Sequence, residues 1–175
     1  ALRLFAQDGY EAVSVSKISG ELGMTKGALY KHYKSKRDIF DTIFERICRL
    51  DIERWKQAGF PEKDFFSNTS VESFKVYMES QFYYWTEDEM ACNFRRILTL
   101  EQYRNPEMAQ LYQKVLASGP VTFIEDYFRI MMKQGIWCKG NPKQMAVELY
   151  APFYLLLSIS DTTSGKEERE ELANL

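Results

Sequence analysis

The segment from Ser14 to Lys36 limits the fold more than any other part of the chain. Two short helical patterns flank Gly23, a residue type that readily adopts the positive φ with which many helices end. Ser14 and Thr25 stand where N-capping hydroxyls would begin the two helices. A helix, a short turn containing glycine and a second helix form the helix-turn-helix layout, in which the second helix enters the major groove of DNA.

Positive charge is concentrated in the same segment. Between Ser14 and Arg37 the chain has six lysine and arginine side chains and one glutamate, whereas the whole chain has a formal net charge of −2. A solvated charged face is the alternative explanation. The concentration of the cations on one helix-turn-helix pattern favours contact with DNA phosphates.

The run from Leu4 to about Ile47 resembles the DNA-binding head of TetR-type transcriptional regulators. The positions that carry the resemblance are Phe5, Gly9, Tyr10, Val13, Ser14, Val15, Ile18, Gly23, Leu29, Tyr30, Tyr33 and Lys36. Ser19 stands where the family usually has Ala. Gly20 also departs from the family pattern, and it weakens a helix by about 1 kcal/mol relative to Ala. Neither departure contradicts the fold, since Gly20 is expected to face solvent.

The pattern of elements predicts an all-α protein of about nine or ten helices. The resemblance implies a three-helix head over residues 1–47 and a larger ligand-binding and dimerisation body over residues 48–175. A long helix over residues 36–58 would be shared between them, and residues 60–70 are the best candidate for a linker. Because the chain begins inside an amphipathic helical pattern without a cap, we expect that a segment before Ala1 is missing.

The resemblance assigns DNA recognition to the helix over residues 25–33. Lys26, Gly27 and Ala28 occupy its first turn, where Lys26 can donate to guanine and the Ala28 methyl can touch thymine. The small Gly27 would allow close approach. The remaining polar residues of the segment are assigned to phosphate contacts: Ser14, Ser16, Thr25, Tyr30, Lys31, His32 and Lys36. Partial core packing is the alternative for Tyr30, and an ordinary surface or capping role for His32.

Useful affinity implies a homodimer on a near-palindromic operator, because one head reads only a few base pairs. The last two long helices, predicted over residues 120–134 and 142–160, are apolar over more than one face and must be buried on several sides. Packing within one chain is the alternative to a dimer. The predicted dimer residues are Phe123, Tyr127, Phe128, Met131, Tyr150, Phe153 and Leu157.

The body is rich in aromatic residues, and the resemblance implies that its middle helices enclose an inducer cavity. The predicted ligand-binding residues are Phe82, Trp85, Phe94, Tyr103, Tyr112 and Tyr127. As a group they indicate a small apolar ligand, aromatic or cationic in character. Arg95 and Arg96 would equally suit an anion, or pair with Glu101. A packed aromatic core is the alternative for any single residue.

Other functions have little support in the sequence. The chain has no Gly-rich phosphate loop, nucleophile elbow, metal motif or apolar run of about 20 residues, so we expect no enzyme, metal, cofactor or membrane span. Three scattered cysteines fit a reducing cytoplasm. We expect a cytoplasmic regulator of transcription, acting as a ligand-responsive repressor. The alternatives are a helical adaptor for protein partners and a small-molecule-binding protein without a DNA function.

Overall fold

The computed structural model describes residues 1–57, 70–162 and 165–173. These residues form ten α-helices and no strand, so the predicted all-α class is confirmed. The helices are α1 (Leu2–Asp8), α2 (Val15–Glu21), α3 (Lys26–Tyr30), α4 (Lys36–Gln57), α5 (Val71–Glu87), α6 (Glu89–Glu101), α7 (Pro106–Leu116), α8 (Ser118–Lys133), α9 (Pro142–Ser160) and α10 (Lys166–Ala173). The predicted linker over residues 60–70 lies outside the described residues except for Ser70.

Side-chain caps begin the helices where the sequence predicts them. The Ser14 hydroxyl accepts the Lys17 N–H at 3.1 Å, and the Thr25 hydroxyl accepts the Ala28 N–H at 3.1 Å. Each cap satisfies one of the backbone donors that the first turn of a helix leaves unpaired. Two further caps are followed by proline at the first helical position: Asn105 and Asn141.

One apolar cluster joins the first four helices to α5, α6, α7 and α9. One member of the cluster is Phe94, which is fully buried on α6. The Phe94 ring stacks against Phe40 and Phe44 of α4, with ring centroids 5.7 and 5.8 Å apart. The boundary predicted at residue 47 therefore does not separate two cores, because the N-terminal helices share their core with the helices that follow.

A buried carboxylate also joins the N-terminal helices to the body. Glu101, only 1% exposed at the end of α6, accepts the Tyr10 N–H at 2.9 Å. Gly9 precedes that donor with φ of 84° and ψ of 152°. A Cβ at Gly9 would lie 2.7 Å from the Glu101 Oε1 atom. The close approach and the backbone conformation both require glycine at this position.

Arg95 fixes α6 against the end of α9. Its guanidinium is 5% exposed and binds the Asp161 carboxylate through two bonds of 2.7 and 2.9 Å. It also donates to the carbonyl oxygens of Leu157 and Trp85. Pairing with Glu101 is one of the alternatives for Arg95, and the structure shows Asp161 as its bidentate partner instead. None of the described helices has the length and apolar character needed to cross a membrane.

Candidate nucleic-acid interface and cavity

The turn between α2 and α3 has the hydrogen bonds of a Schellman motif. Gly23 has φ of 63° and donates to the Gly20 carbonyl at 3.0 Å. The next N–H, that of Met24, donates to the Ser19 carbonyl at 2.9 Å. These two bonds satisfy carbonyls at the end of α2 and fix the direction in which α3 begins.

The first turn of α3 is open to solvent. Leu29 is 3% exposed and anchors the short helix in the core. Lys26 and Gly27 are exposed, Ala28 is half-buried, and a Cβ placed at Gly27 would meet nothing within 4 Å. The turn that is predicted to read bases is therefore accessible to a partner.

Tyr30 belongs to the same accessible surface. Its side chain is 44% exposed, and the Lys26 ammonium lies 5.8 Å from the centre of its ring. Core packing, the alternative for Tyr30, is therefore not what the structure shows. Ser16, Lys31 and His32 are also exposed, whereas the hydroxyls of Ser14 and Thr25 already serve as helix caps.

Some of the positive charge of this segment is paired within the chain. Lys17 lies 2.7 Å from the Asp8 carboxylate, and Arg37 lies 2.7 Å from the Asp41 carboxylate. Such exposed pairs leave less charge for phosphate than the sequence count indicates. Within Ser14–Arg37, all of which the structure describes, three cations have no carboxylate partner: Lys26, Lys31 and Lys34.

Lys36 has a different environment from the one predicted. Its ammonium donates to the carbonyl of Tyr10 at 2.8 Å and to that of Glu11 at 3.3 Å. It also lies 4.4 Å from the centre of the Tyr10 ring. The side chain thus ties the start of α4 to the segment after α1, and its predicted phosphate contact has no support in this geometry.

A cavity of about 410 Å³ lies between α4, α5, α7, α8 and α9. Its volume is within the range of small-molecule sites, roughly 300–1,000 Å³. Aromatic side chains form much of its wall: Phe44, Trp55, Tyr77, Trp85, Phe123, Tyr150 and Phe153. Within the described ranges, no three His, Cys, Asp or Glu side chains gather as metal ligands.

Of the predicted ligand-binding residues, only Trp85 lines this cavity. Four others are buried in the packed core: Phe82, Phe94, Tyr112 and Tyr127. Tyr103 is 88% exposed just beyond α6 and lies outside the cavity wall. These five residues therefore do not line the cavity, because aromatic character does not show which way a helix is turned. Arg95 is likewise occupied by Asp161.

The sequence reasoning missed Asp51 and Trp55, which α4 contributes to the cavity wall. With Cys48 and Ile52 they follow the spacing i, i+3, i+4 and i+7, which places them on one face of a helix. A single carboxylate in an otherwise apolar stripe is the signal that would have identified this face. The sequence pattern alone indicates only that this long helix links the head to the body.

A chain of hydrogen bonds positions the Asp51 carboxylate. The Trp85 indole N–H donates to the Gln81 side-chain oxygen at 3.1 Å, and the Gln81 amide donates to Asp51 Oδ1 at 2.6 Å. Burial raises the pKa of Asp51, while the bond from Gln81 and the charge of Arg54 act in the opposite direction.

Most of the predicted dimer residues are buried within one chain. Five of them are less than 9% exposed and cannot face a partner: Tyr127, Phe128, Met131, Tyr150 and Leu157. Phe123 and Phe153 line the cavity. The outward side of α9 has its own apolar residues, with Leu155 59%, Val147 47%, Ile159 41% and Leu149 40% exposed. Helix α9 is thus apolar on two sides, and the predicted dimer residues Tyr150, Phe153 and Leu157 lie on the side that packs within the chain.

In sequence, the similarity to known proteins lies in the N-terminal helices. Residues 1–43 match the family model for "Bacterial regulatory proteins, tetR family". A stretch of 65 residues is 43% identical to the HTH-type transcriptional regulator AcrR of Shigella flexneri. That stretch covers 35% of this chain and 29% of the relative, so the chain matches less than a third of that protein's length.

Solved structures extend the similarity to nearly the whole chain. The SmeT–triclosan complex has a TM-score of 0.72 at 20% identity and covers 98% of this chain and 80% of its own. AibR in complex with isovaleryl coenzyme A and operator DNA has a TM-score of 0.68 at 21% identity, with coverage of 99% and 89%. At this identity the two structures establish a shared fold.

Proposed function

We propose that this chain, whose residues 1–43 match the tetR family of bacterial regulatory proteins, is a regulator of that family. It represses transcription by binding operator DNA through residues 14–36. A ligand in the cavity would weaken that binding. The observation that carries the proposal is the open first turn of α3, held in place by the buried Leu29 and flanked by cations without carboxylate partners. A regulator of this kind acts where the chromosome is, which places it in the cytoplasm.

The DNA-binding part of the proposal is tested with a sequence selected in vitro from random duplexes. Lys26→Ala should alter base preference and cost roughly 1–3 kcal/mol at one position of the site. Lys31→Ala should weaken all sequences alike and reduce the salt dependence of binding by about one charge. Lys143→Ala, on the exposed start of α9, is the control and should leave affinity unchanged.

These variants separate base reading from phosphate contact. If Lys26→Ala and Lys31→Ala both bind the selected DNA as the unchanged protein does throughout a salt titration, the helix-turn-helix is not the DNA-binding surface. If they weaken binding equally and without a change in base preference, Lys26 contacts phosphate and the assignment of the reading turn is wrong.

The same proposal includes a homodimer that pairs the outward sides of α9. Its support is the set of exposed apolar residues on that side and the need of two heads for two half-sites. Leu155→Glu should convert the dimer to monomers in sedimentation, because it would bury a carboxylate in each half of a two-fold interface. Val76→Glu is a matched control, since Val76 is 45% exposed on α5. Equal behaviour of the two variants would place the interface elsewhere.

Ligand response is proposed to act through α4. The N-terminal half of this helix packs with the head through Ile39 and Phe40, and its C-terminal half lines the cavity through Asp51 and Trp55. A ligand that favours one position of α4 would change the spacing of the two heads and so their fit to successive major grooves. Triclosan and isovaleryl coenzyme A in the complexes of SmeT and AibR indicate that regulators of this fold hold small molecules.

A further inference from the structure

The cavity contains an acidic group in an aromatic wall. Asp51 lines it together with Trp55, Tyr77 and Trp85. The Asp51 side chain is 45% accessible, so a molecule that enters the cavity can reach its carboxylate. An ionised carboxylate beside aromatic faces attracts a cation in two ways, through its charge and through the negative faces of the rings.

The orientation of the acidic group is fixed by its neighbours. An indole N–H can only donate, so the bond from Trp85 sets the oxygen of the Gln81 amide towards Trp85 and its NH₂ towards Asp51. The bond from Gln81 goes to Asp51 Oδ1. Among the residues that the structure describes, no donor binds Asp51 Oδ2, which leaves that oxygen for a ligand.

The nearby cations of the protein only partly neutralise the negative charge of the Asp51 carboxylate. Arg54 Nη2 is 4.0 Å from Asp51 Oδ1, and the Arg54 guanidinium lies over the Tyr84 ring rather than in the cavity wall. Lys114 does line the cavity, but its side chain is exposed, with the ammonium 6.0 Å from the centre of the Phe44 ring. Burial raises the pKa of Asp51, as expected for a carboxylate with incomplete compensation.

We propose that the cavity binds an organic cation with aromatic or other bulky apolar groups, with its positive charge at Asp51. This inference rests on the proposed function, because it names the class of ligand for the same cavity. The positive centre lies against Asp51 Oδ2, and the apolar groups contact Trp55, Tyr77 and Trp85. An anionic ligand would be repelled by the Asp51 carboxylate and by the electron-rich faces of the rings.

The experiment compares two ions of nearly equal size and shape, tetraphenylphosphonium and tetraphenylborate, on the full chain. Trp55 and Trp85 line the cavity, so quenching of tryptophan fluorescence reports occupancy directly. The cation should bind roughly tenfold or more tightly than the anion. Asp51→Asn should weaken cation binding by roughly tenfold and leave anion binding equal or tighter. The matched control, Glu53→Gln, removes an exposed carboxylate from the same helix and should change neither affinity more than twofold.

The inference is wrong if the anion binds as tightly as the cation, if neither ion binds, or if Asp51→Asn and Glu53→Gln weaken cation binding equally. Should Asp51→Asn not fold, the comparison of the two ions on the unchanged protein decides the question. DNA binding by the free protein is measured in parallel. Loss of DNA recognition overturns the proposed function, whereas preference for the anion with DNA binding intact overturns only the ligand class.

Discussion

Replacing Gly9 with alanine tests how the N-terminal helices are joined to the body. Gly9 has φ of 84° and ψ of 152°, a region that only glycine adopts readily, and an alanine held there costs about 1–3 kcal/mol. The new Cβ would stand 2.7 Å from Glu101 Oε1. Because Glu101 is 1% exposed, its carboxylate has little room to move without losing the bond from the Tyr10 N–H.

A buried donor left without a partner costs about 1–3 kcal/mol. Alanine also reduces the conformational entropy of the unfolded chain, which offsets about 0.4–1 kcal/mol of this loss of stability. Gly9→Ala should therefore lower the free energy of unfolding by about 2–5 kcal/mol. This is a large part of the roughly 5–15 kcal/mol that stabilises an ordinary domain.

Two further glycines serve as controls because the same substitution has different consequences there. Gly20 lies in α2 with nothing within 4 Å of an added Cβ, so Gly20→Ala should stabilise by about 0.5–1 kcal/mol. Gly23 has φ of 63° and equally open space. Gly23→Ala should therefore lower the free energy of unfolding only by the cost of holding alanine at a positive φ, about 1–2 kcal/mol.

The measurement is urea unfolding followed by far-ultraviolet circular dichroism, at one fixed protein concentration since dimerisation contributes to apparent stability. The expected order of midpoints is Gly20→Ala above the unchanged protein, then Gly23→Ala, then Gly9→Ala. If Gly9→Ala unfolds at the same urea concentration as Gly23→Ala, the contact with Glu101 contributes nothing. If all three shift in the same direction, backbone conformation and local space do not explain these glycines.

Two other predictions follow from buried aromatic residues. Phe94→Ala should lower the free energy of unfolding in urea by about 3–5 kcal/mol. It should also speed hydrogen exchange in residues 1–43, because the ring joins the head to the body. The control Tyr103→Ala removes an 88% exposed ring and should change stability by less than about 0.5 kcal/mol. Burial raises the pKa of Tyr84 to about 12, so the folded chain keeps this proton where the unfolded chain loses it near pH 10. Stability should fall as the pH rises from 10 towards 12, and Tyr84→Phe should make this decrease less steep.

The local structure of this protein could be predicted from its sequence because the signals are local. Ser14, Thr25, Asn105 and Asn141 cap helices where their positions indicate, and Gly23 adopts the positive φ that the turn requires. Each of these features depends on a few neighbouring residues and on the geometry of one helix end. Family resemblance then supplied the overall arrangement.

The cavity wall and the outer surface could not be predicted in the same way because they depend on how each helix is rotated. Phe82 and Trp85 are three residues apart on α5 and both are buried, yet only Trp85 reaches the cavity. Helix α9 is apolar nearly all round, so its sequence does not show that Leu157 faces inward and Leu155 faces outward. The exposure of Tyr103 follows from its place just beyond the last turn of α6.

The aromatic contacts also show what a ligand must do to affect the head. Phe44 lines the cavity and stacks on Phe94, which in turn stacks on Phe40, whose ring centre is 5.3 Å from that of Tyr10. These packed rings connect the cavity to the head, but their contact alone does not supply the free energy that couples the two. The shift in DNA affinity is set by how much more tightly the ligand binds one position of α4 than the other, and a shift from 1:99 to 99:1 needs about 10⁴-fold discrimination. Since Phe44 and Asp51 lie on that one helix, a ligand that contacts both can discriminate between its positions, whereas a ligand held by α5 and α8 alone would bind tightly and leave the heads as they are.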